Sequence, residues 1–206
     1  NTALTGGITL AGGTVTLGGG QANGFQGIGT GTITFQNGSV LNLNGFNGVF
    51  NSTSWGTLAN ALVVPAGQSG TMNLPGRCAI ASTLIGSGTM GVNVQYVRGD
   101  LSGNWSGFTG QINVGTVTGT AGGDLRLNST SGFGTASVNL AAGVNMYPII
   151  NYTSSPTTFT IGALSGDAGS TISGQGSANS GRIPRQRTDR EGGRARGVVD
   201  DGVHVD

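Results

Sequence analysis

Only six charged side chains occur in the first 180 positions: Arg77, Arg98, Asp100, Asp124, Arg126 and Asp167. Four of them are patterned. Arg98-x-Asp100 and Asp124-x-Arg126 each set opposite charges at i and i+2, where a β-strand turns both to one face. The two pairs lie 26 residues apart, about one coil of a stacked-strand fold. Stacked, they make a crosswise ion-pair patch, and surface pairs of that kind contribute only ~0–1 kcal/mol each. The catalytic version of such a patch is lyase chemistry, in which carboxylates hold Ca²⁺ and a basic residue removes the proton α to a uronate carboxyl. Three Asp residues spread over 180 positions make a poor calcium cage. Glycosidase chemistry needs two carboxyl groups about 5–9.5 Å apart, a separation that Asp100 and Asp124 can reach on neighbouring coils. Each has an Arg two residues away, which favours the ionised form over the protonated acid. The only His, His204, lies near the C-terminus and the only Cys is Cys78, so no Ser-His-Asp, Cys-His or Cys-based metal site is legible. No catalytic residue, metal ligand or cofactor is assigned.

Binding chemistry has other candidates. Arg98-Gly99-Asp100 is the tripeptide that integrins recognise on exposed, flexible tips. Trp55, Tyr96, Trp105 and Phe108 are the large aromatics expected to be partly exposed. The first three are candidates for stacking on glycans, against the alternative that such rings plug turns. Thr-x-Thr pairs at Thr14/Thr16, Thr32/Thr34, Thr116/Thr118/Thr120 and Thr158/Thr160 resemble water-ordering ladders. Their spacing is irregular, and Thr is a common strand-surface residue. The Asn-x-Ser/Thr sequons at Asn37, Asn51, Asn104, Asn128 and Asn151 are about as many as this Asn-, Ser- and Thr-rich chain yields by chance.

The elements that must position these groups are short strands. With 42 Gly in 206 residues, the chain carries close to three times the usual ~7%. There is no Gly-X-Y period and no apolar run of ~18 residues, which excludes collagen and a membrane-spanning helix. A net charge of +1 with near-zero mean hydropathy excludes a charge-driven disordered chain and makes nucleic acid and anionic membranes poor partners. Period-2 alternation predicts strands at 14–17, 32–35, 39–43, 92–97, 111–114, 125–127 and 158–161. Helix content should be close to nil.

Strands this short and close, with Asn and Gly at the corners between them, favour a solenoid over a β-sandwich, whose turns come every ~8–12 residues. At about 20–25 residues per coil, 180 residues make roughly eight coils. The fold class is therefore all-β, a right-handed parallel β-helix, with a β-sandwich as the alternative. The best-defined segment is Gly103-Asn-Trp105-Ser-Gly-Phe108-Thr-Gly-Gln-Ile-Asn-Val114, with weaker echoes around Phe25, Phe46 and Phe133. It resembles the autotransporter-associated β-strand repeat of bacterial surface passengers. That resemblance implies export and display outside the cell. Its Gly-Phe-x-Gly element reads as a tight turn whose aromatic closes over the coil.

Residues 181–206 break the pattern, with six Arg, four Asp and Glu191 in 26 positions and no aromatic residue. They read as a disordered or frame-shifted Arg-rich tail beyond a repeat domain at 1–180. The chain opens with Asn1, as a mature form or a piece of a longer stack does. The function expected is a secreted or cell-surface structural or adhesive protein without enzyme activity, whose partners are extracellular glycans or matrix. The alternative is a polysaccharide-active β-helix enzyme, a pectate-lyase-like lyase or a glycosidase.

Overall fold

The computed structural model describes residues 5–18, 25, 28–43, 56–76, 78–95, 99–127, 132–148, 160–173 and 180–181. In chain order the strands are β1 (Ile8–Leu10), β2 (Thr14–Leu17), β3 (Ile33–Phe35), β4 (Ser39–Leu43), β5 (Thr57–Leu58) and β6 (Leu62–Val64). Next come β7 (Ser69–Leu74), β8 (Cys78–Ile80), β9 (Leu84–Gly86), β10 (Thr89–Val94), β11 (Gly99–Leu101) and β12 (Gln111–Thr116). The last are β13 (Gly123–Leu127), β14 (Ser137–Leu140), β15 (Val144–Pro148), β16 (Ala163–Gly166), β17 (Thr171–Ser173) and β18 (Ser180–Gly181).

They form three sheets. The first runs β1-β3-β6-β9; the second runs β2-β4-β7-β10-β12-β14-β16; the third runs β5-β8-β11-β13-β15-β17-β18. Successive strands within a sheet pair in parallel, save that β18 lies antiparallel to β17. This is an all-β parallel solenoid of about five turns, without helices among the described residues. Parallel ladders throughout the stack rule out the sandwich, whose sheets are antiparallel. The turns are fewer than the sequence suggested. Residues paired across neighbouring coils are from 20 to 31 positions apart, because both the corner connections and the strands, 2 to 6 residues long, vary in length.

Alternation explains the core. In β4, β7, β10, β12 and β14 every second residue points inward, so Leu41, Met72, Val92, Val114 and Leu140 stack in one buried column. Small and large residues offset one another. A Cβ on inward Gly70 would overlap the Phe35 ring, so the glycine makes room for the aromatic. Between β3 and β4, Asn37 and Gly38 both have left-handed φ (52° and 69°), and Ser39 N–H donates to Gln36 C=O at 3.0 Å. That is a type I′ turn, which fits Asn-Gly.

The first sheet stops at β9 and continues only as a bridge from Gly86 to Phe108. Beyond it the Gly-Phe turns take the strand's place. Trp105, Phe108 and Phe133 are buried, and the Trp105 and Phe133 rings meet edge-on at 6.1 Å and 63°. The weaker echo at Phe133 is a turn, flanked by Gly132 and Gly134 at φ 58°. The expected partial exposure of Trp105 and Phe108 does not hold, because these rings fill the core volume the missing strand leaves.

The strands expected at 14–17 and 39–43 match β2 and β4, and those at 32–35, 111–114 and 125–127 fall on β3, β12 and β13. The strand expected at 92–97 begins earlier, as β10, and residues 96–97 lie outside the described set. Thr160 and Ile161 are not in a strand; the pairing segment is β16, two residues on. The Arg-rich tail from 182 lies outside the described residues.

Candidate functional site

Three of the charged residues, Asp100, Asp124 and Arg126, lie on adjacent strands of the third sheet, while Asp167 follows β16 of the second. Asp100 in β11 is in register with Arg126 in β13. Arg126 is followed by Tyr147 in β15, and Asp124 pairs with Asn145, which pairs with Thr171 in β17. Alternation puts Leu125 and Leu127 in the core and Asp124 and Arg126 on the outside, yet Arg126 is only 4% exposed. The row is hydrogen-bonded along the stack: Asn145 Nδ2 donates to Asp124 Oδ1 at 3.5 Å, and Thr171 Oγ1 donates to Asn145 Oδ1 at 2.8 Å. Asp100 and Asp124 are thus diagonal neighbours, one strand and two residues apart, with Cα positions about 8 Å from one another by sheet geometry. Of the expected crosswise patch, the backbone positions of Asp100 and Arg126 are in register. Arg98, the fourth member, lies outside the described residues. No group of three or more His, Cys, Asp or Glu that could hold a metal ion occurs among the described residues.

The other sequence candidates separate. Trp105 is 1% exposed, and its Nε1–H donates to Ser82 C=O at 3.0 Å inside the core. A ring enclosed on both faces offers nothing to a sugar, so Trp105 is a plug. Trp55 and Tyr96 lie outside the described residues. Gly99 and Asp100 of the Arg-Gly-Asp triplet are in β11, paired with β8 on one side and β13 on the other. A strand held in the middle of a ladder is not the flexible tip that integrin recognition requires. Cys78, the single thiol, is buried.

Sequence reasoning missed the most regular polar feature of the molecule. On the outer face of the second sheet Thr16, Asn42, Asn73 and Asn93 are in register across four strands. Asn42 Nδ2 donates to Thr16 Oγ1 at 3.3 Å, Asn73 Nδ2 to Asn42 Oδ1 at 2.7 Å, and Asn93 Nδ2 to Asn73 Oδ1 at 2.8 Å. Every donor points to the preceding coil. A neighbouring row holds Asn113 and Asn139 in register, with Ser165 Oγ donating to Asn139 Oδ1 at 2.8 Å. The ladder is built of Asn, not of the Thr-x-Thr pairs considered from sequence. A signal was available: an Asn between two apolar residues recurs as Leu41-Asn-Leu43, Met72-Asn-Leu74, Val92-Asn-Val94, Ile112-Asn-Val114 and Val138-Asn-Leu140. No outward position of these seven strands carries a charge.

Comparison of the chain with protein-family models, curated proteins and solved structures finds no match in any of the three. No helix among the described residues is long and apolar enough to cross a membrane.

Proposed function

We propose that this chain is a non-enzymatic β-solenoid, secreted from or displayed on a bacterial cell, with a structural and adhesive role. The observation that carries the reading is the uncharged face of the second sheet, where aligned Asn, Thr and Ser side chains run from coil to coil. Such a face is rigid, because each amide is fixed by its neighbours. It is also densely furnished with donors and acceptors for hydroxyl-rich partners such as extracellular glycans or matrix. The turn Gly103-Asn-Trp105-Ser-Gly-Phe108 supports kinship with the autotransporter-associated repeat, since its aromatics serve the core of a coil.

A second reading, a polysaccharide-active enzyme, draws on the diagonal placement of Asp100 and Asp124 beside Arg126. One experiment separates the two. Purified protein is incubated with acidic and neutral polysaccharides, with and without calcium, and followed for retention and for new chain ends. Retention without new ends supports the adhesive reading. New unsaturated or reducing ends overturn it in favour of the enzyme, and no retention on any polymer overturns the adhesive role.

A further inference from the structure

Of the Asn-x-Ser/Thr sequons, those at Asn37 and Asn104 lie among the described residues, and they are built in opposite ways. Asn104-Trp105-Ser106 forms a corner that the preceding coil holds from behind. Leu84 N–H donates to Asn104 C=O at 3.2 Å, Trp105 Nε1–H donates to Ser82 C=O at 3.0 Å, and a Cβ at Gly103 would overlap that same carbonyl. With Trp105 drawn into the core, Asn104 and Ser106 stand exposed on either side of it. Ser106 closes on Asn104 twice: its N–H donates to Asn104 Oδ1 at 2.9 Å, and its hydroxyl donates to the same oxygen at 2.7 Å. Oδ1 is thereby fixed against the chain. Nδ2, on the other side of the planar amide, has no acceptor among the described residues.

Asn37-Gly38-Ser39 has the same sequon pattern without that contact. Ser39 is fully buried, and its hydroxyl has no partner among the described residues, so it is not on the Asn37 amide. Asn37 Nδ2 donates instead to Ala11 C=O at 3.0 Å. Here the nitrogen is engaged and the hydroxyl is enclosed.

We propose that Asn104 is an acceptor site for N-linked glycosylation of the folded chain, and that Asn37 is not. An amide nitrogen is a poor nucleophile, because its lone pair is delocalised into the carbonyl. Hydrogen bonds donated to Oδ1 stabilise the negative charge that gathers on that oxygen as an Nδ2 proton is removed, and the exposed nitrogen admits the base that removes it. The donor is a sugar activated at its anomeric carbon, C1, as a diphosphate ester. The Nδ2–C1 bond forms as the C1–O bond breaks, the bonding pair leaves with the diphosphate, and the proton passes to a base of the transferase. Nothing is oxidised or reduced. The diphosphate carries either a nucleotide or a lipid, and the chemistry at Asn104 is the same for both. The site does not depend on the adhesive reading above, because this sugar is attached covalently rather than bound.

The test uses the folded, purified chain. It is incubated with UDP-glucose and a soluble N-glycosyltransferase, and separately with a lipid-diphosphate oligosaccharide and a membrane oligosaccharyltransferase. Peptides are then mapped by mass spectrometry with fragmentation that leaves the sugar in place. Sugar is expected on the Asn104 peptide with one of the two donors, which identifies the source, and at a level at least about tenfold above the Asn37 peptide. Ser106→Ala removes the hydroxyl from Oδ1 and should lower transfer at least about tenfold, whereas Ser106→Thr restores the hydroxyl and should retain it. An Asn104 left unmodified by both donors overturns the proposal, whatever the other sequons carry. Equal sugar on Asn37 and Asn104, or undiminished transfer to Ser106→Ala, overturns it as well.

Discussion

Asn93 donates its side-chain amide to Asn73 across a coil boundary at 2.8 Å, and Asn73 passes the same bond on to Asn42 at 2.7 Å. The contact lies on the outside of the solenoid, where water competes. Its regularity comes from the backbone, because parallel strands in register place identical side chains about 4.8 Å apart. An amide can donate on one side and accept on the other, so a stack of Asn satisfies itself without strain.

Asn73 is the only ladder member with an Asn on both sides, so Asn73→Ala removes two bonds at once. At about 1 kcal/mol per bond, urea denaturation should show a loss of about 2 kcal/mol. Asn113→Ala removes an amide whose only bond among the described residues is from Gln111, and should cost no more than about 0.5 kcal/mol. Equal effects of the two substitutions would show that the ladder adds nothing to stability.

Trp105 should behave as a core residue. Trp105→Ala is expected to cost about 3–5 kcal/mol. Trp105→Phe keeps the contact with Phe133 but strips Ser82 C=O of its donor, at about 1–3 kcal/mol. In a Trp55→Phe background the remaining tryptophan emission should be blue-shifted and resistant to acrylamide. Ready quenching would place the ring in solvent and restore it as a glycan platform.

Strand alternation was legible because it depends only on neighbours two residues apart; 39–43 and 14–17 are read from their own side chains. Register was not. Asn42 meets Asn73 after 31 residues and Asn73 meets Asn93 after 20, so no fixed period aligns them and the ladder stays hidden. Trp105 and Phe108 were misread because their burial depends on the first sheet ending after β9, a fact about strand count in another coil. The charged pairs were half legible, since the 26-residue spacing of Asp100 and Arg126 happens to equal the length of that coil.

Ser39 carries an inward hydroxyl that is fully buried and has no hydrogen-bond partner among the described residues. Leaving such a group unsatisfied costs about 1–3 kcal/mol. Ser39→Ala deletes the hydroxyl and keeps the small volume required above Gly70. It should raise the urea midpoint, by about 1 kcal/mol in stability. A lowered midpoint would mean that the hydroxyl finds a partner in solution.

Gly70 and Phe35 divide one volume between two coils. A Cβ at position 70 overlaps Phe35 Cβ, Cγ and Cδ1, and Phe35 is fully buried, so neither side can yield toward solvent. Gly70→Ala should therefore destabilise by about 1–3 kcal/mol through overpacking, although alanine is otherwise the easier residue to order in a strand. Phe35→Ala alone should cost about 3–5 kcal/mol by leaving a cavity. In the double variant the new methyl enters space the ring has vacated, so the cost of Gly70→Ala should shrink or change sign. The double-mutant cycle is expected to give a coupling of about 0.5–3 kcal/mol. Strict additivity would show that the two residues do not share the space, and that Gly70 is there for its backbone alone.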